Sequence, residues 1–288
     1  MSTYMYTGPF NNGTDALFRE WGKKFSDALE AVGLLKTADT DQIDWATVLK
    51  PTGFNTYMGF EIRRFSDTLQ ATAPMFVKFE FGTGQNGPSI KMTVGTATDG
   101  AGTFVGNTTS TKNMSVTGGT IVNPTYVSGD GGRVSVAFNV GGAATYKQMA
   151  FSIERLKDSD GTPNANGVSI CAFGYSGGLY GQQILPAGGG LVFPTAELSR
   201  PMCAFPPSGV TTFAENIGFF PIHPYLGFAG NPDLGFVIFN NAEMSGVGSI
   251  VNINIYGVDH AYLICGDIGG PSAVNGATFT LGVMMRYE

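Results

Sequence analysis

Residues 74–82 read Pro-Met-Phe-Val-Lys-Phe-Glu-Phe-Gly, and the alternation in this stretch decides the fold. Met75, Val77, Phe79 and Phe81 fall on one side of an extended chain, while Phe76, Lys78 and Glu80 fall on the other. A period of two with charges confined to one side predicts an antiparallel strand whose other face is covered.

The same period recurs along the chain. Ile90, Met92 and Val94 alternate in SIKMTV, Val134, Val136, Phe138 and Val140 in RVSVAFNV, Met149, Phe151 and Ile153 in KQMAFSIERL, and Val251, Ile253 and Ile255 in SIVNINIYG. Shorter candidates lie near 57–65, 168–175, 234–240, 260–265 and 278–286. With 42 glycines in 288 residues to supply the turns, a dozen or so half-buried strands predict a mainly β chain, an antiparallel β-sandwich or jelly roll. No period of 20–50 residues repeats, which disfavours a propeller or solenoid.

Before the strands stands one amphipathic helix, from about Thr14 to Val32. Leu17, Phe18, Trp21, Phe25, Ala28, Leu29 and Val32 share a face, Thr14 suits the N-cap and Gly33 the stop. Residues 1–13 carry no periodicity and predict an extended arm that frays or lies on a neighbour. The domains expected are therefore an arm and helix at 1–37 and a β domain at 38–288, with a subdivision allowed near 157–167 where the charge balance shifts.

That shift is large. Residues 1–157 hold 14 basic and 13 acidic side chains, whereas 158–288 hold 2 and 9, for a total of 16 and 22. A face so poor in charge suits burial against other chains, and we expect a homo-oligomer on that ground. The acidic balance and the lack of a Lys/Arg cluster argue against nucleic acid as a partner. No apolar run approaches a membrane span, and the first residues show no signal peptide, so synthesis in a cytoplasm without export is expected. Cys171, Cys203 and Cys265 stand apart and read as buried thiols.

Three motifs invite chemistry and each lacks its context. Gly174-Tyr175-Ser176-Gly177-Gly178 fits G-x-S-x-G, but a glycine- and proline-rich stretch follows where a nucleophile elbow needs a helix. His223 and His260 are the two candidate bases; His260 follows Asp259 directly, and strand neighbours point to opposite faces. Gly82-Thr83-Gly84-Gln85-Asn86-Gly87 fits a dinucleotide fingerprint, yet Pro88 and another strand come next, so it reads as a hairpin loop. Asp158-Ser159-Asp160-Gly161, with Asn164 and Asn166, offers oxygens to calcium, but Ser169 stands where the terminal Glu belongs, and a turn explains it. No catalytic residue, metal site or cofactor is assigned.

Part of the chain resembles a known group. LFREWGKKFSDALEAVGLLKTADTDQIDWATV, GFEIRRFSDTLQATAPMFVKFEFGTG and KMTVGTATDGAGTFVG, within residues 14–106, look like structural proteins of tailed bacteriophages. The resemblance implies a non-enzymatic virion component of the tail tip, baseplate or fibre attachment, made in host cytoplasm and partnered by other virion proteins. A capsid decoration protein and a host-glycan-binding module are the alternatives, the latter suggested by aromatic loops such as HPYLGFAG. Candidate assembly contacts are Phe10, Phe18, Trp21, Phe25 and Leu29, which serve either a partner or the seam to the chain's own sheet.

Overall fold

The computed structural model describes residues 2–7, 13–83, 88–109, 111–115, 124–139, 148–158, 162–173, 182–186, 219–221, 236–240, 248–255, 258–267, 272–274, 277–279 and 281–287. Among the described residues the chain is mainly β, with three antiparallel sheets of five or six strands, one two-stranded hairpin and one α-helix.

Helix α1 spans Asp15–Ala31. Thr14 caps it by accepting the Leu17 N–H at 3.2 Å, and Gly33 leaves it with φ +86°, a conformation that glycine adopts without strain. The expected face is buried from Phe18 to Val32, and Leu17 at its start is half-buried. Gly22 lies on the same side because Trp45 packs there: a Cβ at 22 would stand 2.0 Å from the indole ring.

The first five-stranded sheet has the order β2-β3-β4-β5-β6, from Leu34–Lys36, Tyr57–Phe65, Phe76–Thr83, Pro88–Gly95 and Lys112–Ser115. In β4 the alternation holds as read: Val77, Phe79 and Phe81 are buried while Phe76, Lys78 and Glu80 are half-buried. The register sets Phe79 opposite Met92 and Phe81 opposite Ile90, so β4 and β5 present one continuous apolar face. Link 37–43 then continues along β3. Thr37 donates to the Ile62 carbonyl at 3.0 Å and Ile43 to the Phe60 carbonyl at 2.8 Å, so β3 keeps hydrogen-bond partners beyond the end of β2.

The six-stranded sheet has the order β1-β7-β8-β9-β10-β11, from Ser2–Thr7, Pro124–Gly129, Arg133–Asn139, Gln148–Lys157, Pro163–Phe173 and Gln182–Pro186. Residues 2–7, expected as an arm, thus add an edge strand to their own chain, pairing Ser2 with Gly129 through Thr7 with Pro124. An extended segment satisfies its backbone groups this way.

One hydrophobic cluster joins both sheets and the helix. Phe25 lies 5.5 Å from Phe138 of β8 and 5.9 Å from Phe79 of β4, and Phe79 lies 5.5 Å from Phe151 of β9. Residues 14–36 therefore share their core with the β region.

The strand β8 departs from the half-buried expectation. Val134, Val136 and Phe138 join the cluster, yet Ser135 and Ala137 on the opposite face are also fully buried. The cause is a third sheet, in the order β12-β13-β18-β15-β14, from Phe219–Pro221, Phe236–Asn240, Leu281–Arg286, Val258–Asp267 and Ile250–Ile255. Both β15 and β18 approach β8, and Ser128 Oγ of β7 donates to the Arg286 carbonyl of β18 at 2.8 Å. Small side chains on that face, Ser135, Ala137, Ala150 and Ser152, allow the close approach. Ser272–Val274 and Ala277–Phe279 form a separate hairpin, β16-β17.

Candidate functional site

The structure divides the sequence-predicted residues into two groups. Phe18, Trp21, Phe25 and Leu29 are all buried inside the chain's own core, so the helix face is already occupied. Phe10, Ser176 with its glycines, and His223 lie outside the described residues.

The remaining motifs resolve as turns and strands. Thr83 of β4 pairs with Pro88 of β5, which makes the G-x-G-x-x-G region the connection of an antiparallel hairpin, with 84–87 outside the described residues. Asp158 N–H donates to the Thr162 carbonyl at 2.9 Å, and Asp158 Oδ1 accepts from the Asn164 amide at 2.9 Å, so both residues serve the β9–β10 connection, with 159–161 outside the described residues. His260 Nδ1 lies 2.9 Å from an Arg286 guanidinium nitrogen on β15's neighbour β18. Asp259 is exposed. Among the described residues no group of three or more His, Cys, Asp or Glu side chains could hold a metal ion.

The charged side chains with the most structured surroundings are buried ones that sequence reading did not single out. Glu61 and Arg63 of β3 share the inner face of their sheet with Phe65, directly under α1, and both are 0 % exposed. Glu61 Oε1 accepts from Trp45 Nε1 at 2.8 Å and from Ser26 Oγ at 2.9 Å, with Lys36 Nζ 3.5 Å away. Arg63 donates from Nε and Nη2 to Glu61 Oε2 at 3.0 and 2.8 Å, and from Nη1 to the Leu34 carbonyl at 3.0 Å. The pair is thus fully desolvated and bonded to helix, link and strand at once. One signal was present in the sequence: opposite charges two apart on a strand lie on one face.

The second cluster ties the connection between β3 and β4 to the six-stranded sheet. Arg155 of β9, also buried, donates to both carboxylate oxygens of Asp67 at 2.8 and 3.1 Å and to the Ala73 carbonyl at 2.7 Å. Such a two-pronged contact is strong and directional. Next to it a cavity of about 130 Å³ is lined by Asp67, Asp130, Arg133, Glu154, Arg155 and Lys157. Three acids face three bases there, and Asp67 and Arg155 already satisfy each other. The arrangement locks a turn onto a sheet.

Burial acts on two further groups. It raises the Tyr126 phenol above its ordinary range, with Cys265 as a second cause, and it pushes the Cys265 thiol up strongly. Each is neutral when protonated, so the folded chain keeps a proton that the unfolded chain releases. The associated stability is complete below the unfolded thiol value of about 8.5 and is lost as pH rises past it. We expect the stability difference between the parent and Cys265→Ala, measured by urea unfolding, to shift against the parent by about 1.4 kcal/mol per pH unit above that value. Equal slopes in the two proteins would show that Cys265 does not contribute.

Among the described residues no helix is long and apolar enough to cross a membrane. Compared with known proteins, the chain matches no family model, no curated protein and no solved structure.

Proposed function

We propose that this protein is a non-enzymatic structural component of a tailed-bacteriophage particle, in the tail tip, baseplate or fibre attachment. One observation carries the reading: the segments that resemble tailed-phage structural proteins are spent on the scaffold. Trp21 sits in the aromatic core, Trp45 bonds the buried Glu61, Asp67 holds Arg155, and Phe79 and Phe81 fill the space beneath the helix. Distinctive residues used in this way suit a protein whose product is its shape.

The finer fold reading follows from the shared core. Two antiparallel sheets contributing to one aromatic cluster support a β-sandwich, with the third sheet added outside it. The low charge of residues 158–288 supports assembly with copies of itself and with other virion proteins.

The test has two parts. Light scattering on the purified chain is expected to give a multiple of the single-chain mass, and mass spectrometry of purified particles is expected to find the chain. A protein that stays a single chain at high concentration and never enters the particle overturns the proposal.

A further inference from the structure

Sheet edges are where one chain can hydrogen-bond another, and most edges in this protein are blunted. Strand β2 has three residues and carries Lys36, and β6 has four and begins with Lys112. Strand β11 ends in Pro186, β12 has three residues and ends in Pro221, and β1 lies against α1. Shortness, lysine and proline are the usual protections against edge pairing.

Strand β14 has none of them. It runs Ile-Val-Asn-Ile-Asn-Ile over six residues, carries neither charge nor proline, and among the described residues ends its sheet beyond β15. Ile250 is 51 % exposed and Asn252 is exposed as well.

The hydrogen-bond phase shows which backbone groups look outward. Ile264 N–H donates to the Ser249 carbonyl at 2.9 Å, and the register continues through Val251 with Tyr262 and Ile253 with His260. In an antiparallel ladder the bonded positions alternate. Ser249 therefore turns its carbonyl to β15, with the Gly248 N–H donating to the Ile264 carbonyl in its place, Val251, Ile253 and Ile255 turn their backbone groups to β15, and Ile250, Asn252 and Asn254 turn theirs away. The other side agrees: Ala261, opposite Asn252, gives its carbonyl to Tyr287 N–H at 2.8 Å, away from β14.

We propose that the outer edge of β14 is an assembly surface whose partner is β14 of a second copy, joined antiparallel about a two-fold axis. The sequence is self-complementary in that arrangement. With Asn252 opposite Asn254 and Ile253 opposite its own copy, Val251 meets Ile255, so asparagine faces asparagine and aliphatic faces aliphatic. Asn252 and Asn254 then exchange backbone bonds with each other's copies. A charged strand paired with itself in this way sets like charges opposite one another; β14 avoids that by having no charge. The result is one continuous sheet across two chains, a closed contact of the isologous kind.

The inference rests on the assembly reading above and names the surface for it. Asn252→Pro removes one outward N–H and leaves the β15 ladder untouched, a position at which edge strands accept proline. We expect the parent at an even multiple of the single-chain mass by light scattering, and Asn252→Pro at half the parent's mass with an unchanged circular dichroism spectrum. A second pair of variants covers the case in which proline disturbs folding. A chain with Asn252→Lys and Asn254→Lys, and another with Asn252→Glu and Asn254→Glu, should each lose the contact at low salt and recover it when mixed. An oligomer that survives all of these substitutions overturns the inference and leaves the assembly reading standing. A parent that is a single chain at every concentration overturns the inference, and it overturns the assembly reading too if the chain is also missing from purified particles.

Discussion

Replacing Arg63 with alanine is expected to lower the unfolding free energy by about 3 kcal/mol, because it leaves the buried Glu61 carboxylate with only the half-buried Lys36, 3.5 Å away, as a cation. The geometry sets the size of the effect. Arg63 supplies two of the bonds to Glu61, one to the Leu34 carbonyl and one to Ser26, and neither charged side chain is exposed. The double variant Glu61→Gln, Arg63→Met should recover most of the loss. Glutamine still accepts from Trp45 and Ser26, and methionine fills the volume without a charge to bury. Urea unfolding of the parent and the two variants decides it; a loss under about 1 kcal/mol for Arg63→Ala would mean that water enters the pair.

Phe25→Ala is the second large effect, about 3–5 kcal/mol. Its ring lies within 6.1 Å of Trp21, Phe79, Phe81 and Phe138, so it joins the helix to both sheets that share the core. Truncation removes those contacts and leaves a cavity that rigid strands cannot close. The measurement is again the urea midpoint. A variant with parental stability and a changed oligomeric mass would instead assign Phe25 to a neighbouring chain.

Much of this architecture was legible in the sequence where one physical rule acted alone. Helix α1 and strands β4 and β5 each have one apolar face, and each buries it. Strand β3 was not legible in the same way. Hydrophobicity alone turns Phe60 and Ile62 inward, but Glu61 and Arg63 occupy the face beneath α1 because Ser26 and Trp45 arrive there with matching donors. Those partners are 35 and 16 residues away from Glu61, and no local pattern announces them. The burial of Ser135 and Ser152 was hidden for a related reason: a serine on a strand reads as solvent-facing until a second layer is known to cover it. The short strands β2, β6 and β12 offered too few residues for any period to register. As for the candidate site, its sequence motifs are flanked by paired strands or fall outside the described residues, while the clusters that matter, Glu61 with Arg63 and Asp67 with Arg155, carry no motif.

The shared aromatic core has a consequence for biosynthesis. Phe79 and Phe81 are made early, but Phe151, Val168 and Ile170, which complete the same cluster, are encoded some 70 to 90 positions later. Helix α1 is made before them and can cover part of this face, but at a translation rate of about 5–20 residues per second the side that β9 and β10 complete stays open for roughly 4–18 seconds. Ribosome-associated chaperones are the natural guardians of that interval, and slowing elongation between codons 82 and 150 should raise the fraction of product lost to aggregation.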